Sequence, residues 1–191
     1  MNKKIKKQSD DELTKLHDRL KGGHVARYHT RPELSDGQNV AAHTWRAMVI
    51  LQTLWPDVSK NCLLHLLYHD VAEAEMGDVP ATTKWNYPEI NELMVHAEKN
   101  YEALIGVGEI VHQVTEEDKK KCDIADKLEL VLHCYRLLKQ GNLMGQDVLW
   151  NGLNYIESNY SKEPFYKPVG KLRRILWNQI KKDLQHSHRY C

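Results

Sequence analysis

The sequence predicts an all-α single domain, a bundle of about seven to eight helices. Three observations predict it. Apolar residues recur at three- and four-residue spacing through long runs between residues 10 and 185. Glycine, proline and capping residues punctuate those runs at their ends. No segment alternates apolar and polar residues between hairpin turns, as a half-buried strand would. Helices packed on helices are the remaining way to bury such faces.

In chain order, residues 1–8 carry Lys3, Lys4, Lys6 and Lys7 and read as a flexible basic N-terminus. Ser9 and Glu12 form a capping box for a first helix, Asp10 to Lys21, with Leu13, Leu16 and Leu20 on one face. Gly22 and Gly23 end it. Residues 23–38 then form a polar loop bearing Arg27, Tyr28, His29 and Arg31. A second helix, Asn39 to Leu54, places His43 on its apolar face and closes at Trp55-Pro56.

Ser59 caps a central helix running through LLHLLYHDVAEAEM, which Gly77 ends and which Pro80 prevents from resuming at once. Tyr87-Pro88 opens a charged helix to about Ile105, and a short helical piece covers Glu109 to Val114. Thr115 with Glu117 and Asp118 opens a long helix that ends at Gly141. Two more helices span about Leu143 to Asn159 and Val169 to Gln185. The domain thus covers residues 9–185, and residues 186–191, with His186 and His188, are a solvated tail.

Composition narrows the function. Of 191 residues, 41% are hydrophobic and 28% charged, ordinary for a globular chain. A net charge of +1 argues against stable nucleic-acid binding and against an acidic membrane surface. No apolar run reaches the roughly 18–20 residues of a membrane span, and no secretory signal opens the chain. Four scattered cysteines without a CxxC pair suit reduced thiols, hence the cytoplasm. Eleven histidines raise the prior for a metal.

The chemistry gathers on ionisable groups set among apolar neighbours. His69 and Asp70 are adjacent on the central helix, with Glu73 one turn further on. Asp126 sits among Ile124, Ala125, Leu128, Val131 and Leu132, and the following Lys127 points elsewhere. Buried carboxylates need a partner, and a metal is one. His43, His69, Asp70 and Asp126 together make two imidazoles and two carboxylates, a set for Zn, Mn or Co, with Fe and Ni also suited. Such an ion acidifies bound water and polarises a phosphoryl oxygen. Glu73 is placed to orient or deprotonate that water. Asp78 either shares this role or caps the turn.

The order H…HD…D resembles the HD-domain phosphohydrolases. The wider run from Tyr68 to Lys84, YHDxxExxxGDxPxxxK, is similar to their 5′-deoxynucleotidase-like branch. The segments around Arg27 to Thr30, Gly77 to Trp85 and Ile124 to Leu130 look closest to small phage dATP triphosphohydrolases. By that resemblance His43, His69, Asp70 and Asp126 are the metal ligands and Glu73 and Asp78 the acid–base pair. Arg27 contacts phosphate or sugar, and Tyr28, where the family often has Trp, stacks on the sugar or base. A triphosphate calls for added cations, with Lys84 and Lys121 as candidates; Lys119 to Lys121 either line the pocket or form a solvated helix start.

The resemblance implies a deoxynucleotide substrate, a dNTP cleaved to deoxynucleoside and triphosphate, and a homo-oligomer. The alternatives are a 5′-deoxynucleotidase releasing phosphate from dNMPs and a non-catalytic helical module that a metal stabilises.

Overall fold

The computed structural model describes residues 3–187, and side chains over residues 11–185. The expectations for residues 188–191 and for Met1 and Asn2 fall outside these bounds, while the backbone at 186 and 187 is helical and continues the last helix rather than beginning a tail. Among the described residues the chain is helical throughout, with one isolated bridge, Ala26 to Asn39, and no strand. It divides into two compact units. One comprises Met1–Arg46 and Ser59–Thr115; the other comprises Ala47–Val58 and Glu116–Cys191.

The first unit holds α1 (Lys3–Gly22), the start of α2 (Val40–Leu54), α3 (Lys60–Tyr68), α4 (Glu73–Met76), α5 (Ala81–Asn86), α6 (Pro88–Leu104) and α7 (Gly108–His112). Ser59 caps α3 as expected, its Oγ accepting from the Cys62 amide at 3.0 Å. Asn39 does the same for α2, its Oδ1 accepting from Ala42 N at 2.9 Å. Val71, Ile105, Val107 and Val111 make the core, with Tyr68 and Tyr101 packed against it. Arg19 ties α1 to this core by donating to the carbonyls of Ile105 (2.8 Å) and Gly106 (3.1 Å).

Three expectations are corrected here. The first helix starts at Lys3, so Ser9 lies inside it and is no cap, and residues 3–8 have helical backbone. The central helix is broken: α3 stops at Tyr68, and His69 to Ala72 form a turn before α4. Across that turn the amides of Val71, Glu73, Ala74 and Glu75 bond three residues back rather than four. Pro80 does not delay the next helix but caps it, since α5 begins at Ala81. Gly77, at φ +77°, ends α4 as expected.

The second unit holds the rest of α2 with α8 (Glu116–Lys139), α9 (Gln146–Tyr160) and α10 (Lys167–Ser187). Gly141, at φ +88°, closes α8 in a Schellman turn, with Asn142 N bonded to Leu137 O and Gly141 N to Leu138 O. α8 and α9 approach closely at Gly152, where a Cβ would lie 2.7 Å from Val131 Cγ2. Leu128, Leu149, Leu153, Ile156, Val169 and Ile180 fill the interior. Cys122 and Cys134 here, and Cys62 of α3 in the first unit, are buried and in no disulfide. With α4, α5 and α7 as short pieces, ten helices are present among the described residues, more than the seven or eight expected.

Candidate metal centre

The caps determine where the histidines fall. Asn39 starts α2, and His43 N bonds back to Asn39 O at 3.0 Å, one turn in, with its side chain fully buried. Ser59 starts α3, which delivers His69 and Asp70 at its C-terminal end. His69 Nδ1 lies 2.7 Å from the Leu66 carbonyl. A carbonyl only accepts, so Nδ1 carries the proton and the Nε2 lone pair turns the other way.

That lone pair faces Asp70 Oδ2 at 3.2 Å, and His43 Nε2 lies 3.6 Å from the same oxygen. The two rings stand 5.5 Å apart at 46°. A lone pair facing a carboxylate oxygen is satisfied by a shared proton or cation. The backbone-bonded Nδ1 is the usual second partner of a metal-ligating histidine. The residues therefore fit a divalent ion. Arg27 Nη1 also donates to Asp70 Oδ2, at 2.8 Å. Burial alone would raise the Asp70 pKa. The charge and hydrogen bond of His69, then Arg27 and His43, outweigh it and hold the carboxyl well below its usual range.

Glu73 stands one turn beyond. Its amide bonds to the Asp70 carbonyl at 3.1 Å, and its Oε2 is buried without a hydrogen-bond partner among the described residues. Burial, then the charges of Asp70 and Asp78, push its pKa up to about 9 against the opposing pull of Arg27 and His69. Asp78 has a different occupation: its Oδ2 accepts from the Tyr28 amide at 2.8 Å. Tyr28 has φ +58°, the one non-glycine residue with positive φ among those described. The loop it sits in is pinned at its base by Arg27 N to Gln38 O and Val40 N to Val25 O. The Arg27 guanidinium lies 5.4 Å from the Tyr28 ring centroid.

The first unit thus brings together His43, His69, Asp70, Glu73, Arg27 and Asp78, with Tyr28 attached through its amide. Lys84 is instead 3.6 Å from Glu98 of α6. In the second unit, Asp126 lies on α8 and accepts from Lys127 Nζ at 2.7 Å, so Lys127 does not point elsewhere. Burial would lower the Lys127 pKa, but Asp126 and Asp123 raise it overall. Lys121 pairs with Glu117 at 2.6 Å and lies over the rings of Phe165 and Trp55. Lys119 and Lys120 pair with Glu116 and Glu163, each at 2.6 Å. The two links from the Arg27–Tyr28 loop, to Asp70 and Asp78, cross 43 and 50 residues of chain. No local pattern announces either one.

An all-helical protein with two imidazoles and a carboxylate converging at a helix end is built to hold a metal through nitrogen and oxygen. The chain belongs to the HD-domain family, whose sequence model, described as HD domain, matches residues 18–135. This bears out its resemblance to the HD-domain phosphohydrolases. No curated protein matches the sequence.

Three solved structures share its fold. A protein from Pyrococcus horikoshii superposes with a TM-score of 0.68 at 18% identity, over 86% of this chain and 97% of its own. A conserved hypothetical protein from Pyrococcus furiosus gives 0.69 at 19%, over 87% and 99%. The cyanophage S-2L HD phosphohydrolase DatZ, solved with dA and one catalytic Zn2+ ion, gives 0.61 at 21%, over 89% and 96%. Among the described residues no helix is long and apolar enough to cross a membrane.

Proposed function

We propose that this chain is a metal-dependent phosphohydrolase of 2′-deoxynucleotides, acting on a dNTP of the dATP type to give deoxynucleoside and triphosphate. The observation that carries the reading is the convergence of His43 and His69 on one oxygen of Asp70, beside the buried Glu73. The dA held by the structurally similar cyanophage enzyme supports the substrate class. His43, His69, Asp70 and Asp126 would hold the ion, a Zn, Mn or Co with Fe and Ni also suited. Bound there, it supplies a more acidic water and a polarised phosphoryl oxygen.

The chain's own residues supply the rest. Glu73, raised by burial, holds a proton at neutral pH when no ion is bound and is the group that moves protons at the reacting phosphate. Arg27, fixed on Asp70, contacts phosphate or sugar. Tyr28, set by Asp78, offers its ring to the sugar or base.

A second reading has an observation in its favour. Lys84 and Lys119 to Lys121, the cations a triphosphate would need, stand opposite carboxylates. A site with fewer uncommitted cations suits a dNMP, hence a 5′-deoxynucleotidase. A panel of dNTPs, dNMPs and ribonucleotides with Mn, Co or Zn, resolved by anion exchange, decides. Tripolyphosphate from a dNTP supports the first reading, and orthophosphate from dNMPs alone replaces it with the second. In either case Glu73→Gln should lower kcat about 10²- to 10⁴-fold while metal uptake persists. No turnover with any metal would leave a metal-stabilised module. A homo-oligomer in the cytoplasm belongs to the same proposal, and a light-scattering mass of one chain would refute the oligomer.

A further inference from the structure

The second unit treats its cations in two ways. On α8, Lys119, Lys120, Lys121 and Lys127 each face a carboxylate within 2.7 Å. On α10 the sequence holds six cations, Lys167, Lys171, Arg173, Arg174, Lys181 and Lys182, and a single carboxylate, Asp183. Asp183 is bonded to Tyr135 of α8 at 2.5 Å and to Gln179 at 2.9 Å. Arg173 reaches Glu157 of α9 at 3.3 Å. Lys167, Lys171 and Arg174 are exposed, and among the described residues none of the three has an acidic partner. Lys181, also exposed, lies 5.1 Å from the Trp177 ring centroid.

At 3.6 residues per turn, positions 167, 171, 174, 178, 181, 182 and 185 fall on one stripe, opposite the buried Val169, Leu176 and Ile180. The stripe holds cations, Asn178 and Gln185, and no acid. An open depression of about 510 Å3 lies at its start, lined by Lys167, Pro168, Gly170, Lys171 and Arg174. From Lys167 to Lys181 the row spans about 21 Å at about 1.5 Å per residue.

We propose that the outer face of α10 docks duplex DNA through its phosphates, with Lys167, Lys171, Arg174 and Lys181 as the gripping row. The net charge of +1 argues against such a partner only if the charges are mixed, and here they are segregated. A narrow row about 21 Å long follows about six base-pair steps of a strand rising about 3.4 Å each. An anionic lipid surface fits less well. Such a helix would also bury an apolar face in the bilayer, and apart from the exposed Ile175 the apolar side chains of α10 are buried or half-buried in the protein. A single strand is held by bases stacked on aromatic rings. The exposed row of α10 carries none, so it meets phosphates alone, which a duplex presents at the higher density.

The test is fluorescence anisotropy of a labelled random-sequence duplex with the full-length protein, over a range of salt. Binding should weaken with salt at a log–log slope of about −3 to −4, about 0.9 per contacted phosphate. The double variant Lys171→Glu, Arg174→Glu should bind at least about tenfold more weakly and lose about two from that slope. Its helical content by circular dichroism and its metal uptake should match wild type. The proposal is overturned if wild type fails to bind at low salt, or if the double variant binds as well as wild type. It also falls if a single strand or phosphatidylserine vesicles are preferred to the duplex. Dissociation of a homo-oligomer by the double variant, with no DNA bound by wild type, would assign the face to a second copy and likewise overturn it.

Discussion

Asp70, Glu73 and Asp78 are three carboxylates within nine residues, and their surroundings give them separate work. Asp70 is surrounded by Arg27, His43 and His69 and stays ionised. Glu73 is raised to about 9 by burial and by its acidic neighbours. Asp78 spends an oxygen on the Tyr28 amide, holding a tyrosine in left-handed backbone that costs on the order of 1–3 kcal/mol to maintain. The sequence leaves Asp78 between proton transfer and a turn cap, and the structure gives it a loop to hold. Asp78→Ala should therefore raise KM about tenfold, the loss of a charge-assisted bond worth about 1.5 kcal/mol, with kcat little changed. Asp78→Asn keeps an oxygen acceptor for the amide and should restore KM. A large fall in kcat for the Asn variant, with KM unchanged, would return Asp78 to the proton-transfer step.

At the scale of elements, the turn from His69 to Ala72 matters most, and it is held from outside its own helix. Gly22, the last residue of α1, lies so close that a Cβ would sit 2.9 Å from Val71 Cγ2 and 3.0 Å from Val71 Cα and O. The backbone atoms cannot yield without moving the turn that carries Asp70. Gly22→Ala should destabilise the protein by about 1–3 kcal/mol, the usual cost of overpacking. It should also weaken metal binding, measured by titration calorimetry beside urea unfolding. Unchanged affinity in a folded Gly22→Ala protein would show that α1 does not position the turn. Nothing in the sequence marks this contact, because Gly22 reads only as a helix stop.

What is local was legible: the Ser59 cap, the Gly77 and Gly141 stops, and the bounds of α2, α6 and α8 within a residue or two. The residues of the HD pair were legible by motif. The break after Tyr68 was not, because apolar spacing continues across it while the hydrogen bonds shift to three-residue steps. The start at Pro80 was hidden because proline reads equally as a stop and as a beginning. The apolar residues of α6 recur at helical spacing, yet Ile90, Leu93 and Leu104 are exposed, since periodicity does not say whether a face is covered.

For the molecule as a whole, the pH dependence of stability sums opposed titrations. Asp70, depressed in the folded state, contributes stability above its unfolded value, which is lost as pH falls through the folded one. Glu102 of α6 works the other way. It is buried, its Oε2 lies 3.0 Å from His112 Nε2, and burial raises its pKa above the ordinary 4.5 despite the pull of His112. A raised carboxyl binds its proton more tightly when folded. Its contribution is therefore complete below pH 4.5 and is lost as pH rises through the folded value. Glu102→Gln keeps the shape and a hydrogen bond to His112 and has no proton to lose. Relative to wild type, the variant should gain stability as pH climbs from 4.5, with the gain levelling off once wild-type Glu102 is ionised. Urea midpoints for both proteins across that range, in chelator so that metal does not intervene, measure the difference directly. A constant difference would mean that Glu102 titrates alike folded and unfolded. A difference that grows toward acid would mean that the pull of His112 outweighs the cost of burial, the reverse of what a glutamate enclosed on α6 should show.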